Sequence, residues 1–163
     1  MITVDGTDFR VPEQPDQPTS WFSFKFRSAA VRYKVAISIF SGDIVWTNGP
    51  WRAGRYPDLS IFRQGLKQLL LSHGEVAVAD KGYRGEPDCI NLPDEGSPMH
   101  QYMMARARSC HETCNKRFKQ FAILSSRFRA NIDWHQQVFH AVVVLTQISI
   151  EEGSPLWNAM VAS

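Results

Sequence analysis

The chain has 163 residues, 44% of them hydrophobic and 21% charged, enough for one domain to bury a core without disulfides or a structural metal. This composition excludes a disordered or low-complexity chain. A net charge of +2 and a pI near 8.5 are too weak to announce a nucleic-acid partner, so such a partner has to be argued from where the charges sit.

Cys89, Cys110 and Cys114 are an odd set with no paired framework, which favours a reducing compartment. Met1 leads directly into a strand-like run rather than into the basic region and apolar core of a signal peptide. The longest strongly apolar run, 138–150, is interrupted by His140, Thr146, Gln147 and Ser149, too short and too polar for a membrane span. A soluble intracellular domain with no membrane partner is expected.

In chain order, Ile2-Thr3-Val4 predicts a short strand ending at Asp5, and the three prolines of 12–19 predict a loop. Val31, Tyr33, Val35, Ile37 and Ile39 alternate with Arg32, Lys34, Ala36 and Ser38, the period of a sheet strand. Ser41-Gly42-Asp43 turns the chain into a third strand over 44–47, paired as a hairpin. Asp58 is placed to cap a helix carrying Leu59, Phe62, Leu66, Leu69 and Leu70, with Gly74 just past its end. The unbroken apolar run 76–79 predicts a central strand buried on both faces, and 89–92 a short fifth strand. A helix is predicted over 102–120, with Cys110, Cys114, Phe118 and Phe121 on one stripe, and a last helix over 132–148. The resulting β-β-β-α-β order followed by C-terminal helices is that of an α/β, ribonuclease-H-like mixed sheet, an order that fixes no activity by itself.

Catalytic groups in open α/β sheets gather beyond the carboxyl ends of parallel strands, where this reading places Asp5 and Asp80. Two carboxylates facing one crevice repel unless a cation neutralises them. Glu112 shares a helix face with Arg108, Lys116 and Lys119, a pattern suited to a third metal ligand among cations that bind phosphate. Three carboxylates can hold two Mg²⁺ or Mn²⁺ ions for phosphodiester chemistry. Lys81 and Tyr83, close after Asp80, are placed to touch a substrate strand, Lys81 as a phosphate point charge.

Blander readings stand beside these. Asp5 and Asp80, each near a glycine, serve equally as turn residues when taken singly, and Glu112 as a solvated partner of Lys116 or Arg108. His111-Glu112-Thr113-Cys114 starts like a helical zinc-protease motif, but Asn115 stands where the second histidine is needed. Cys110 and Cys114, one turn apart, could join His111 or His140 on zinc; packing is the commoner role of such cysteines. His135 and His140 are wrongly spaced for one helix face, and the five scattered tryptophans suit core or edge packing.

Four motifs occur in order: Val4-Asp5-Gly6-Thr7; Gly49-Pro50 leading to Pro57-Asp58-Leu59-Ser60-Ile61-Phe62; Ala79-Asp80-Lys81-Gly82-Tyr83-Arg84-Gly85; and Arg108 with Glu112, Asn115-Lys116-Arg117-Phe118-Lys119. Together they resemble the DDE superfamily endonucleases of the PIF/Harbinger group of eukaryotic transposases, which are similar to bacterial insertion-sequence enzymes. The resemblance covers 1–157 as one catalytic domain and leaves 158–163 as a short tail. It implies a metal-dependent DNA endonuclease and strand transferase with a catalytic triad on Asp5, a second aspartate and Glu112. The second position falls on Asp80 or on Asp58; the fold analogy favours Asp80 at a strand end, with Asp58 heading the crossover helix and kept as a further candidate ligand. Two divalent ions, Mg²⁺ or Mn²⁺, are the implied cofactors, and Arg108, Lys116, Lys119 and Lys81 the implied DNA contacts. DNA is the implied partner, with a separate DNA-binding protein and a homo-oligomer as further candidates, and the nucleus the implied location. No helical end-recognition region precedes the first strand, so a catalytically inactive or domesticated remnant that binds nucleic acid or protein is the alternative. A ribonuclease of the same fold is a third reading.

Overall fold

The computed structural model describes residues 1–16, 18–83, 85–91 and 97–156, without the side chains of residues 81, 91 and 103. Strand β1 (Ile2–Arg10) lies against β3 (Ser28–Ser38), and β3 against β4 (Ile44–Arg52), both antiparallel. A one-turn helix α1 (Pro18–Trp21) and a two-residue strand β2 (Phe22–Ser23) connect β1 to β3, with β2 pairing the start of β3. On the other edge of β1, β5 (Ala77–Val78) pairs parallel, and β6 (Ile90–Asn91) pairs parallel with β5. Across the sheet the order is β4, β3, β1, β5, β6. The predicted mixed α/β sheet with C-terminal helices is observed.

Several expected boundaries move for identifiable reasons. β1 does not end at Asp5 but runs on to Arg10, because Gly6, Thr7 and Asp8 pair with Lys34, Tyr33 and Arg32. The buried polar Asp8 is satisfied there, its two oxygens accepting from Arg32 Nε (2.7 Å) and Nη2 (3.0 Å) and from Ser23 Oγ (2.7 Å). Likewise β4 extends past 47 to Arg52. The helix expected after Asp58 breaks into α2 (Asp58–Gln64) and α3 (Leu66–His73) at Gly65, where a Cβ would meet Trp46 and Asn48 at 3.0 and 2.9 Å. Gly74 closes α3 in the left-handed region (φ 62°), as its position in the sequence predicts.

Helix α4 (Pro98–Phe118) starts four residues earlier than expected, with the Ser97 side chain accepting from His100 N and Pro98 in the first turn. After the short α5 (Ala122–Ser125) and a 3₁₀ turn over Ile132–Trp134 comes α6 (His135–Glu151). Leu92 and Trp157 lie outside the described residues.

Alternation along the strands sorts the two faces of the sheet. Val31, Tyr33, Val35 and Ile37 pack with Cys110, Cys114 and Phe118 of α4 and Phe139 and Val142 of α6, so both helix cysteines are core residues. Val4, Ala36 and Ala77 pack on the other face with Phe62 of α2 and Leu66 and Leu70 of α3. The central strands are thus covered on both sides, and the described residues contain no helix long and apolar enough to cross a membrane.

Candidate active site

The last parallel ladder positions of β1 and β5 are Thr3 and Val78, and Thr3 Oγ1 donates to the Val78 carbonyl at 3.1 Å. Two residues further along each segment come Asp5 and Asp80. Parallel register therefore brings the two carboxylates to the same level, although β1 continues and leaves Asp5 inside a strand rather than at its end. Asp5 pairs across from Val35, and directly opposed residues share a face, so its side chain belongs to the α4 face. Val78 packs on that face with Met104 and Ala107 of α4.

Both aspartates also make the local bonds of turn residues. Asp5 Oδ1 accepts from the Gly6 amide at 2.7 Å, and Asp80 Oδ1 from the Gly82 amide at 2.8 Å. Burial pushes the Asp5 carboxyl above its ordinary range, and the charges of Asp58 and Asp80 add to the rise, against the lowering effects of the Gly6 amide and Lys34. Burial thus outweighs the Gly6 amide and the charge of Lys34 at Asp5.

Helix α4 supplies the opposite wall. Met104, Ala107 and His111 are buried against the sheet, and one step around the helix Arg108, Glu112 and Lys116 are exposed, with Lys119 half-buried. A cavity of about 640 Å³ is lined by Asp5, Asp80 and Glu112 together with Arg108, Lys116 and Lys119. Six of the residues singled out in the sequence therefore share one cavity. Lys25, which the sequence did not single out, lines it as well. His111 lies in the same wall, held neutral by burial with its pKa down to about 4, and its Nε2 has no hydrogen-bond partner. The side chain of Lys81 lies outside the described residues.

Asp58 is placed differently. It is the first residue of α2 rather than its cap, a position taken by Pro57, and its side chain makes no capping bond. Instead Asp58 Oδ1 sits 2.6 Å from Lys34 Nζ and 3.4 Å from Arg32 Nη1. Lys34 pairs across from Gly6, one step out of phase with Asp5, so this network occupies the sheet face that α2 and α3 cover. The missing side chain at Gly6 makes room for it, since a Cβ there would stand 3.0 Å from Asp58 Oδ1 and 3.1 Å from Lys34 Nζ. Asp58 does not line the cavity. Tyr83, expected to meet substrate, is instead buried against Phe62, its hydroxyl accepting from Lys34 Nζ.

Sequence reasoning passed over Asp8, Arg32 and Lys34. The available signal was Lys34 itself, a lysine next to Val35 and Ala36 in a strand with helical segments to come on both sides. Its alternation position looks solvated only if one sheet face is bare.

Among the described residues no three carboxylate, imidazole or thiol groups stand close enough, as placed, to hold a metal ion. The donor chemistry nonetheless suits a hard divalent cation, since Asp5, Asp80 and Glu112 offer oxygen ligands only. Glu112, on an exposed helix face, has the length and freedom to turn toward the sheet.

Three acidic side chains and four basic ones thus line one cavity of a mixed α/β domain. The chain belongs to the DDE superfamily endonucleases, whose family model matches residues 4–147. That span contains all three carboxylates of the cavity. No curated protein and no solved structure matches the chain.

Proposed function

We propose that this domain is a DDE-type DNA endonuclease and strand transferase, with a ribonuclease-H-like core in which Asp5, Asp80 and Glu112 hold two divalent ions, Mg²⁺ or Mn²⁺. The observation that carries this reading is the convergence of those three residues with Arg108, Lys116 and Lys119 on one cavity. The strand order β4, β3, β1, β5, β6 with helices on both faces supports the fold assignment. Asp80 is preferred to Asp58 as the second ligand because it lines the cavity on the α4 side, whereas Asp58 is engaged with Lys34 on the other face.

In this mechanism Arg108, Lys116 and Lys119 hold the phosphodiester backbone along α4 and set it between that helix and the edge of β1. Asp5 and Asp80 form a fixed wall, each pinned by a backbone amide, while Glu112 closes from the exposed side. The bound ions would lower the pKa of the attacking water or hydroxyl and neutralise the leaving oxygen. The repulsion between Asp5 and Asp80 would be relieved by bound cations, which favours the filled site.

Calorimetric titration of Mg²⁺ and Mn²⁺ into the wild type and Asp80→Asn tests this. The wild type is expected to bind metal at millimolar concentration or below and to melt at a higher temperature when it does, since metal binds only the folded state; Asp80→Asn is expected to lose both effects. Metal-dependent nicking of plasmid DNA should fall steeply in Asp5→Asn, Asp80→Asn and Glu112→Gln while each variant stays folded. Absence of heat, thermal shift and nicking in the wild type would leave a nucleic-acid-binding domain without catalysis.

A further inference from the structure

The turn joining β2 to β3 is Phe24-Lys25-Phe26-Arg27, an alternation of rings and cations. It is a defined turn: the amides of Phe26 and Arg27 both donate to the Ser23 carbonyl, at 3.2 and 2.8 Å, and Arg27 takes a positive φ of 52°. Phe26 folds inward beneath two cations, with Arg10 Cζ at 4.8 Å and Lys119 Nζ at 5.6 Å from its ring centroid. Lys119 follows the last residue of α4, so this contact fastens the turn to the rim of the cavity. Lys25 lines that cavity alongside Asp5, Asp80 and Glu112.

Phe24 faces outward. Its ring meets the edge of Phe22 at 5.3 Å and 88°, and the residue is otherwise 87% exposed.

We propose that the Phe24–Arg27 turn is a stacking platform for an unpaired base of the nucleic-acid strand held in the cavity, with Phe24 against the base and Lys25 and Lys119 on the adjoining phosphates. This rests on the cavity being a nucleic-acid site. The size of the feature selects the ligand. A stable protein interface needs roughly 800 Å² from each partner, whereas one phenylalanine offers about 200 Å² at most; a single base needs only one face of a ring. Lys25 and Arg27 of the same turn are exposed and suit a polyanion. Lys119 is lowered by burial and by the nearby charge of Lys25, so the pair gains from an anion placed between them. Bases inside a duplex already stack on both sides, so the platform favours single strands, frayed ends and overhangs over blunt duplex.

The test uses the full chain without divalent metal, so that nothing is cleaved. Fluorescence anisotropy compares a labelled single strand, the same sequence as blunt duplex, and a duplex with an unpaired overhang. The single strand and the overhang are expected to bind more tightly than the blunt duplex. Phe24→Ala should weaken binding to them at least about fivefold and leave blunt-duplex binding unchanged, and Phe24→Trp should restore the preference. Lys25→Ala should weaken all three forms. Moving one abasic nucleotide along the single strand should reveal a position at which Phe24→Ala no longer matters, because the base it would have lost is already missing. Equal binding of all forms with Phe24→Ala silent overturns the platform while leaving the nuclease reading intact. No binding of any form overturns the platform, and the metal titration and nicking assay then test the nuclease reading separately.

Discussion

Lys34 is fully buried in the middle of a strand, where burial lowers its pKa against the opposing pull of Asp58 and Asp5. Asp58, 2.6 Å away, and the Tyr83 hydroxyl, which accepts from Lys34 Nζ, favour its charged form against that burial. Removing one partner of such a pair typically costs about 3 kcal/mol or more, discounted here because the Asp58 side chain is 40% exposed and water can replace part of the lost interaction. Asp58→Asn is therefore expected to lower the melting temperature clearly, and Asp58→Asn with Lys34→Met to recover most of the loss by removing the stranded charge. Asp80→Asn, at an exposed position whose side-chain hydrogen bond among the described residues is to the Gly82 amide of its own turn, should leave the metal-free melting temperature nearly unchanged. Thermal denaturation followed by circular dichroism distinguishes the three. Wild-type stability in Asp58→Asn alone would mean that the Lys34 network contributes nothing. The same variants separate the two aspartates in function, since Asp58→Asn should retain metal binding that Asp80→Asn loses.

Elements with a clear periodicity or terminator were legible in the sequence, whereas the full length of β1, whose polar residues are buried, was not. The period-two run of β3, the Ser41-Gly42-Asp43 hairpin and the end of α3 at Gly74 follow from alternation and turn chemistry. The cysteine–phenylalanine stripe of α4 follows from helical spacing in the same way. β1 was cut short because Thr7 and Asp8 look like loop residues until Arg32 and Ser23 are known to satisfy Asp8 across the sheet. Asp5, Asp80 and Glu112 line one cavity although Asp5, expected at a strand end, lies inside β1, while the place of Asp58 depended on a lysine in a strand distant in sequence. His135, whose spacing from His140 suggests no role, heads α6 and is buried among the rings of Phe9, Tyr33 and Phe128, with Nδ1 2.8 Å from the Tyr33 hydroxyl. Burial lowers its pKa to about 4. The unfolded chain accepts a proton at this histidine below about pH 6.5 and the folded one does not until about 4, so the folded state binds fewer protons across that window. Stability should therefore be fully present above pH 6.5 and decline as the pH falls toward 4, by about 1.4 kcal/mol per unit from this group. Urea denaturation of wild type and His135→Asn at pH 7, 5.5 and 4.5 measures it. The variant should be less stable at pH 7 and show the shallower pH dependence; parallel pH curves would remove His135 as the cause.

For the molecule as a whole, a net charge of +2 conceals a local imbalance that governs how it meets a polyanion. Lys25, Arg108, Lys116 and Lys119 surround a cavity whose acidic groups are Asp5, Asp80 and Glu112. Filling the carboxylate wall with divalent cations would turn this region strongly positive, so metal is expected to tighten duplex binding. The cations lie along one helix and one turn, where they reach phosphates, and phosphate contacts position a duplex without reading its sequence. Each contact releases counterions, so the logarithm of the binding constant should fall linearly with the logarithm of salt concentration, with a slope of about −0.9 per phosphate neutralised. Replacing Lys116 and Lys119 by alanine should therefore lower affinity by the same factor for unrelated duplexes and flatten the slope by about 2. Anisotropy with three unrelated duplexes across 50–300 mM salt, roughly the range in which such contacts are resolved, provides both numbers. A loss confined to one duplex would show that these lysines read bases, and an unchanged slope would place the DNA on another surface of the protein.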